Sequence, residues 1–369
     1  MQSFSSPTAG GITAIRAAIR ALVDASAPVP VDEDQPRPSD DFATLKREVS
    51  ERGLLRREPS RYAWIIARTF ALTALAWTAL VLARGSALVW FVAPLLAFAS
   101  GQLVLLAHDA CHHAIFRDDA RNDALGLVAI NLLNGGSFTW WTASHNAHHA
   151  RSNFRQIDPD IDYPMFAFDR AQADEKHRFF EPILARQHWL AWLMLAGVAL
   201  NLRVYGLVHL LRGRARRAEI AAFALHWTLY PLAMVSLLGG WRALAMIALQ
   251  QALFGTYVGS ITVANHWAMP MPEPGTLGFV AHQVSTSRNI SGESLADLWF
   301  GGLNLQVEHH LFPSMPRANL RSARASVQAF CEARGIAYVE RSITEAYREI
   351  YRAMREVARY VRERREGAR

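Results

Sequence analysis

Eight of the 14 histidines fall in three short strings, His108-Asp-Ala-Cys-His112-His113, His145-Asn-Ala-His148-His149 and Gln306-Val-Glu-His309-His310. A helix turns about 100° per residue, so His145, His148 and His149 lie at about 0°, 300° and 40° and share one face. Gln306, His309 and His310 repeat that geometry with an amide in the first place. His108 and His112 differ by about 40°, whereas His113 is turned about 140° from His108 and is a candidate only through membership of its cluster. A lone histidine is ordinarily a core or surface residue with its ring nitrogens satisfied, which is the reading for His177, His188, His209, His226 and His282. Aligned clusters are different: neutral imidazoles at this density make a transition-metal site. Seven or more exceed the four ligands of a structural zinc and point to two ions, although imidazole suits iron, zinc and copper alike.

The elements that must position these groups are apolar helices. Half of the chain (51%) is apolar, and the apolar residues gather in long uncharged runs while the charges crowd the first 61 positions, the middle and the tail. That placement excludes an ordinary soluble protein, a disordered chain and a disulfide scaffold, and Cys111 with Cys331 reads as a pair of separate reduced thiols. Residues 62–83 and 87–107 form one predicted hairpin of membrane-crossing helices, and 220–238 with 243–264 a second, each long enough for a bilayer core of about 30 Å. Two weaker apolar stretches, 124–141 and 189–211, carry Asn131, Asn134, Asn201, Arg203 and His209 and are read as interfacial or protein-packed. The expected fold is thus an all-α integral membrane protein with four transmembrane helices in two hairpins and a cytoplasmic helical cap holding a histidine-rich dimetal site. Its expected parts are a cytoplasmic N-terminal segment 1–61, a core 62–315 and C-terminal cytoplasmic helices 316–369.

Arginines precede each hairpin (Arg47, Arg52, Arg56, Arg57 and Arg61; Arg212, Arg214, Arg216 and Arg217), and each hairpin link carries one, so the termini and the middle are expected in the cytoplasm. The net charge of +7 is nearly all arginine and is not a sign of a nucleic-acid partner. His108 and His266 then lie at the cytoplasmic exits of the two hairpins, on the side of the other clusters, which nominates His266 as a further ligand. In the tail, Ser342 and Glu345 have capping-box spacing ahead of Ile343, Tyr347, Ile350, Met354, Val357 and Val361 on one helix face. Asp158-Pro159-Asp160-Ile161-Asp162 lacks the glycine and the final glutamate of a calcium loop and reads as a solvated loop that fixes local geometry. Asp109, Asn146 and Glu308 stand beside the clusters and are candidates to hold imidazole N–H groups, as are Asn265 and Gln306.

The strings HDACHHAIF, HNAHHARSNFRQIDPDID, STSRN and GGLNLQVEHHLFPSMPRANL, with H-x3-H, H-x2-H-H and Q-x2-H-H spacing, resemble the membrane-bound fatty acid desaturases, above all the bacterial acyl-CoA and linoleoyl-type branch. The resemblance implies a di-iron centre that uses dioxygen and two electrons to remove two hydrogens from an unactivated acyl chain. It implies His108, His112, His145, His148, His149, His309 and His310 as direct ligands, His266 as the extra ligand after the last span, and Gln306 in place of the first histidine of the third box. It further implies an acyl-CoA or acyl-lipid substrate and an inner membrane with the site facing the cytoplasm. No His-Pro-Gly-Gly heme signature occurs, so electrons are expected from a separate donor, a ferredoxin-like protein or a flavin reductase. Two other readings stand beside it: a lipid hydroxylase, ketolase or sphingolipid-modifying oxygenase on the same scaffold, and a metal transporter. Ligands at the helix exits rather than at mid-membrane argue against transport.

Overall fold

The computed structural model describes residues 40–367 apart from 156, 214 and 293, so the first 39 residues of the expected N-terminal segment lie outside it. Helix α1 (Asp40–Glu51) leads to α2 (Pro59–Ala83) and, after the link Arg84-Gly85-Ser86, to a tight turn at Ala87–Phe91 that runs into α3 (Val92–Cys111). The short helix α4 (Phe138–Ala150) follows, and then the apolar stretch Gln187–Leu211. Next come α5 (Arg217–Leu238), α6 (Gly240–His266), strand β1 (Asn289–Ser291), α7 (Gln306–Leu311), α8 (Arg317–Ala333), strand β2 (Glu340–Ser342) and α9 (Ile343–Gly367). The two strands pair in parallel, Asn289 opposite Glu340 and Ser291 opposite Ser342.

Long helices form at the four predicted apolar stretches. Gly239 supplies the left-handed turn between α5 and α6, with φ +77°, and its N–H closes the end of α5 on the Val235 carbonyl at 2.9 Å. The number of long apolar helices differs from the expected four. Among the described residues five helices are long and apolar enough to cross a membrane: Pro59–Ala83, Ala87–Cys111, Gln187–Leu211, Arg217–Leu238 and Gly240–His266. Gln187–Leu211 joins the list because its few polar residues are outnumbered, giving a mean hydropathy of 1.5, the same as Arg217–Leu238. Those polar groups are absorbed locally. Arg203 donates to the Ala199 carbonyl at 2.8 Å and lies 5.1 Å over the Phe254 ring, and a ring nitrogen of His209 is 3.1 Å from the Thr139 hydroxyl. The stretch is also broken by a tight turn at Leu195–Gly197. Residues 124–141 form no long helix: Asp119–Leu127 runs into a widened turn at Val128–Leu132, where Asn131 accepts from the Phe138 N–H at 3.0 Å.

On the far side of the histidine strings, α1 presses Phe42, Leu45 and Val49 into a core with Leu311, Leu320 and Val327. Ser342 and Glu345 make the expected capping box, Glu345 N–H to Ser342 Oγ at 3.3 Å and Ser342 N–H to Glu345 Oε2 at 2.9 Å. Helix α9 buries Ala346, Ile350, Met354, Val357, Ala358 and Val361 against the protein rather than lying free. The buried Arg288 ties it to the end of α6, donating to Glu349 at 2.8 Å and to the Trp267 carbonyl.

The broken stretch sits on α6 through Gly255, where a Cβ would stand 2.6 Å from the Ala196 carbonyl oxygen and 2.9 Å from that of Leu195. Backbone cannot move aside as a side chain can. Gly255→Val is therefore expected to cost about 1–3 kcal/mol, measured as a lower thermal midpoint in detergent, while Gly85→Ala, which meets nothing within 4 Å, leaves the midpoint unchanged.

Candidate metal centre

Four elements deliver the histidines. His108 lies in the last turn of α3 and His112 caps it; α4 carries His145, His148 and His149; α7 carries His309 and His310; His266 is the last residue of α6. Helix α4 starts where the Ser137 hydroxyl accepts from the Trp140 N–H at 3.2 Å, and Trp141 stacks on the His145 ring with centroids 5.1 Å apart. The strings that sequence spacing singled out do meet. His108, His112, His145, His149 and His309 form one group and His148, His266 and His310 a second, the ligand atoms within each lying within 4.8 Å of one another.

The ring atoms face each other in a way that imidazoles alone do not satisfy. Nε2 of His145 is 3.0 Å from Nε2 of His112 and 3.1 Å from that of His149, which is 3.1 Å from Nε2 of His309. In the second group Nε2 of His148 and His266 are 3.4 Å apart. A neutral imidazole has one N–H and one lone pair, so wherever both rings carry the proton on Nδ1 such contacts oppose two lone pairs unless a cation lies between them. Burial, and then repulsion from neighbouring rings, holds His145, His149, His309 and His310 well below the ordinary histidine range, hence neutral. Both ring nitrogens of His108 and Nε2 of His310 are buried without a hydrogen-bond partner. The donor set therefore fits transition-metal ions, and each group by itself offers at least three nitrogens.

In the second group the outward nitrogens are fixed. Nδ1 of His148 lies 3.0 Å from both oxygens of Asp158, Nδ1 of His266 lies 3.1 Å from the Thr286 carbonyl, and Nδ1 of His310 lies 2.8 Å from Oε1 of Gln283. Gln283 is itself oriented, because its NH2 donates to the His149 carbonyl at 2.9 Å. All three partners accept, so each Nδ1 keeps a proton and Nε2 is the nitrogen that faces inward. Burial lowers the basicity of His148, but the Asp158 and Asp160 carboxylates outweigh it and push the group up to about 9, so this ring carries a second proton on Nε2 near neutral pH and gives it up to bind a metal.

The remaining predicted residues are distributed as follows. His113 joins neither group: it sits in left-handed backbone with φ 52° and pairs with Asp119 at 2.5 Å on the surface. Asp109 accepts from Tyr62 Oη at 2.9 Å and from Arg317, with His108 Nδ1 3.5 Å from its other oxygen. Asn146 is exposed, and Glu308 accepts from Asn289 at 2.7 Å and Tyr338 at 2.6 Å, anchoring α7 to β1 rather than holding an imidazole. Asn265 bonds Gln306, whose amide nitrogen is 2.9 Å from Nε2 of His266. The lone histidines stay apart, with His226 on the Leu132 carbonyl and His282 on that of Ser152, each at 2.9 Å. Gln283 and Thr286 were not signalled by spacing, since the helix that holds Gln283 and is capped by Thr286, Phe279–Ser285, is too short to show a periodic pattern.

The fatty acid desaturase family model matches residues 85–342. Among curated proteins, the chain is 32% identical over 258 residues to an acyl-lipid (9-3)-desaturase of Physcomitrium patens, covering 64% of this chain and 47% of the relative. It is 29% identical over 317 residues to a Delta(8)-fatty-acid desaturase of Euglena gracilis, covering 81% and 74%. It is 32% identical over 328 residues to a Delta 8-(E)-sphingolipid desaturase of Lachancea kluyveri, covering 81% and 56%. The chain thus spans about half the length of two of these three relatives, and all three are eukaryotic, so they lend no weight to a bacterial branch. A match that runs through all three histidine strings, on a fold that gathers those strings into two groups, places the chain in the fatty acid desaturase family.

Proposed function

We propose that this protein is an oxygen-dependent acyl desaturase that introduces a cis double bond into a fatty acyl chain, carried on coenzyme A or on a lipid. The observation that carries the reading is the convergence of eight buried or half-buried imidazoles in adjacent groups of five and three, with His108 and His266 at the ends of apolar helices. His108, His112, His145, His149 and His309 would hold one iron and His148, His266 and His310 the other, and His113 is left to its partner Asp119. With dioxygen and two electrons from a separate redox protein, the iron pair supplies the oxidant needed to break two C–H bonds of adjacent methylenes. The chain's own part is to hold the imidazoles other than His148 neutral, to keep the Nδ1 protons of His148, His266 and His310 on their acceptors and to exclude water from the pocket.

The same chemistry could end in hydroxylation or act on a sphingolipid, as the name of the Lachancea kluyveri relative illustrates. Lipid profiling by mass spectrometry, with double-bond location, after expression in a host lacking the product distinguishes these outcomes: a new alkene supports the proposal and a new alcohol or ketone alone overturns it.

The proposed topology has four crossings, with Gln187–Leu211 packed at the cytoplasmic interface. Support comes from parity. His108 ends α3 and His266 ends α6, and their groups adjoin, so an even number of crossings must separate them, which α5 and α6 already provide. Arginine bias sets the histidine side as cytoplasmic. Cysteines at Gly85 and Gly240 should label from the outer face and cysteines at Arg121 and Arg216 from the cytoplasm; outer labelling at Arg216 would establish a fifth crossing and break the parity.

Two further outcomes bear on the centre. Elemental analysis of the purified protein should find about two irons per chain, and activity with stoichiometric zinc and no iron would sink the assignment. His148→Ala and His309→Ala should each abolish desaturation while membrane insertion persists. His113→Ala should retain iron and turnover, because an exposed pair contributes at most about 1 kcal/mol.

A further inference from the structure

The second histidine group has three imidazoles, and the amide on its inward side is Gln306, buried, with its amide nitrogen 2.9 Å from Nε2 of His266. Which end of that amide faces the group is decided one residue away. The Asn265 NH2 donates to the Leu303 carbonyl at 2.9 Å, and a backbone carbonyl only accepts, so the Asn265 amide cannot be reversed. Its second N–H therefore points at Gln306, whose Oε1 receives it at 3.0 Å. Turning Gln306 over would set two NH2 groups against each other in a buried site, so its NH2 stays toward the histidines.

Resting on the desaturase reading above, we infer that Gln306 is not a metal ligand but a fixed hydrogen-bond donor aimed at an open coordination position of the three-imidazole ion. Once Nε2 of His266 gives its lone pair to a metal, the Gln306 N–H needs another acceptor, and an exogenous oxygen or anionic ligand on that ion is the group within its reach. Three protein ligands and one open position is the arrangement of a reactive site rather than a structural one. The position that a fourth imidazole would close is thereby kept for small ligands, with a donor already oriented by Asn265.

The test uses the full chain in detergent, loaded with cobalt(II) and titrated with azide, following ligand-field absorption alongside elemental analysis. Wild type and Gln306→Leu should both hold two cobalt ions, with azide bound about tenfold more weakly in the variant. Gln306→His should also keep two ions but lose the azide response, because the added imidazole fills the position. Asn265→Asp, whose carboxylate can only accept from Gln306, should reverse the amide and weaken azide as Gln306→Leu does, which keeps the inference testable if that variant misfolds. Loss of a cobalt ion in Gln306→Leu would show that the amide is a ligand, and unchanged azide affinity would show that it donates nothing; either result overturns this inference and leaves the desaturase reading intact. A wild-type protein that takes up no metal would overturn both.

Discussion

Lone pairs on adjacent imidazoles repel, and in this protein five rings turn a nitrogen toward one point and three toward a second. Protonating all of them would set several positive charges side by side. The surrounding structure therefore has to do two things at once: keep most of the rings neutral and keep all of them from turning away. In the three-ring group it does so with acceptors that have no proton to offer, a carboxylate, a backbone carbonyl and an amide oxygen held in place by a further carbonyl. Each ring is left with one usable lone pair and one direction for it. The helices, caps and loop contacts around the centre can be understood as the supports of those acceptors.

Much of this was legible in the residues themselves. Helical phase placed His145, His148 and His149 on one face and turned His113 aside from His108, and the structure keeps His113 on the surface with Asp119. The nomination of His266 rested on the sides of the membrane at which hairpins must end, and its ring does meet those of His148 and His310. What the residues did not disclose are contacts between short segments distant in sequence. Gln283 and Thr286 belong to no periodic pattern, and nothing local marks them as partners of His310 and His266. Asp158 was visible as part of an acidic loop, but its place behind His148 depends on how the chain folds back after α4. The same holds for Gln187–Leu211, where the Phe254 ring under Arg203 and the hydroxyl beside His209 come from other helices.

The relatives carry names that differ in the lipid acted on and in the position of the bond, while the histidine strings lie within the shared match. What the match holds in common is the set of histidine strings, so the differences in lipid and bond position that separate those relatives have to come from residues outside them.

The brevity of α7 bears on how the centre is assembled during synthesis. At six residues it is too short to persist as a helix on its own, yet it supplies His309 to one group and His310 to the other. It also leaves the ribosome roughly two hundred residues after His108, when both hairpins have already been made. Until it docks against β1 and α8, neither group is complete, so no ion can be fully enclosed by either set of imidazoles before that docking. Closure of the two groups is thus one late event rather than two independent ones, and a single short helix decides it for both.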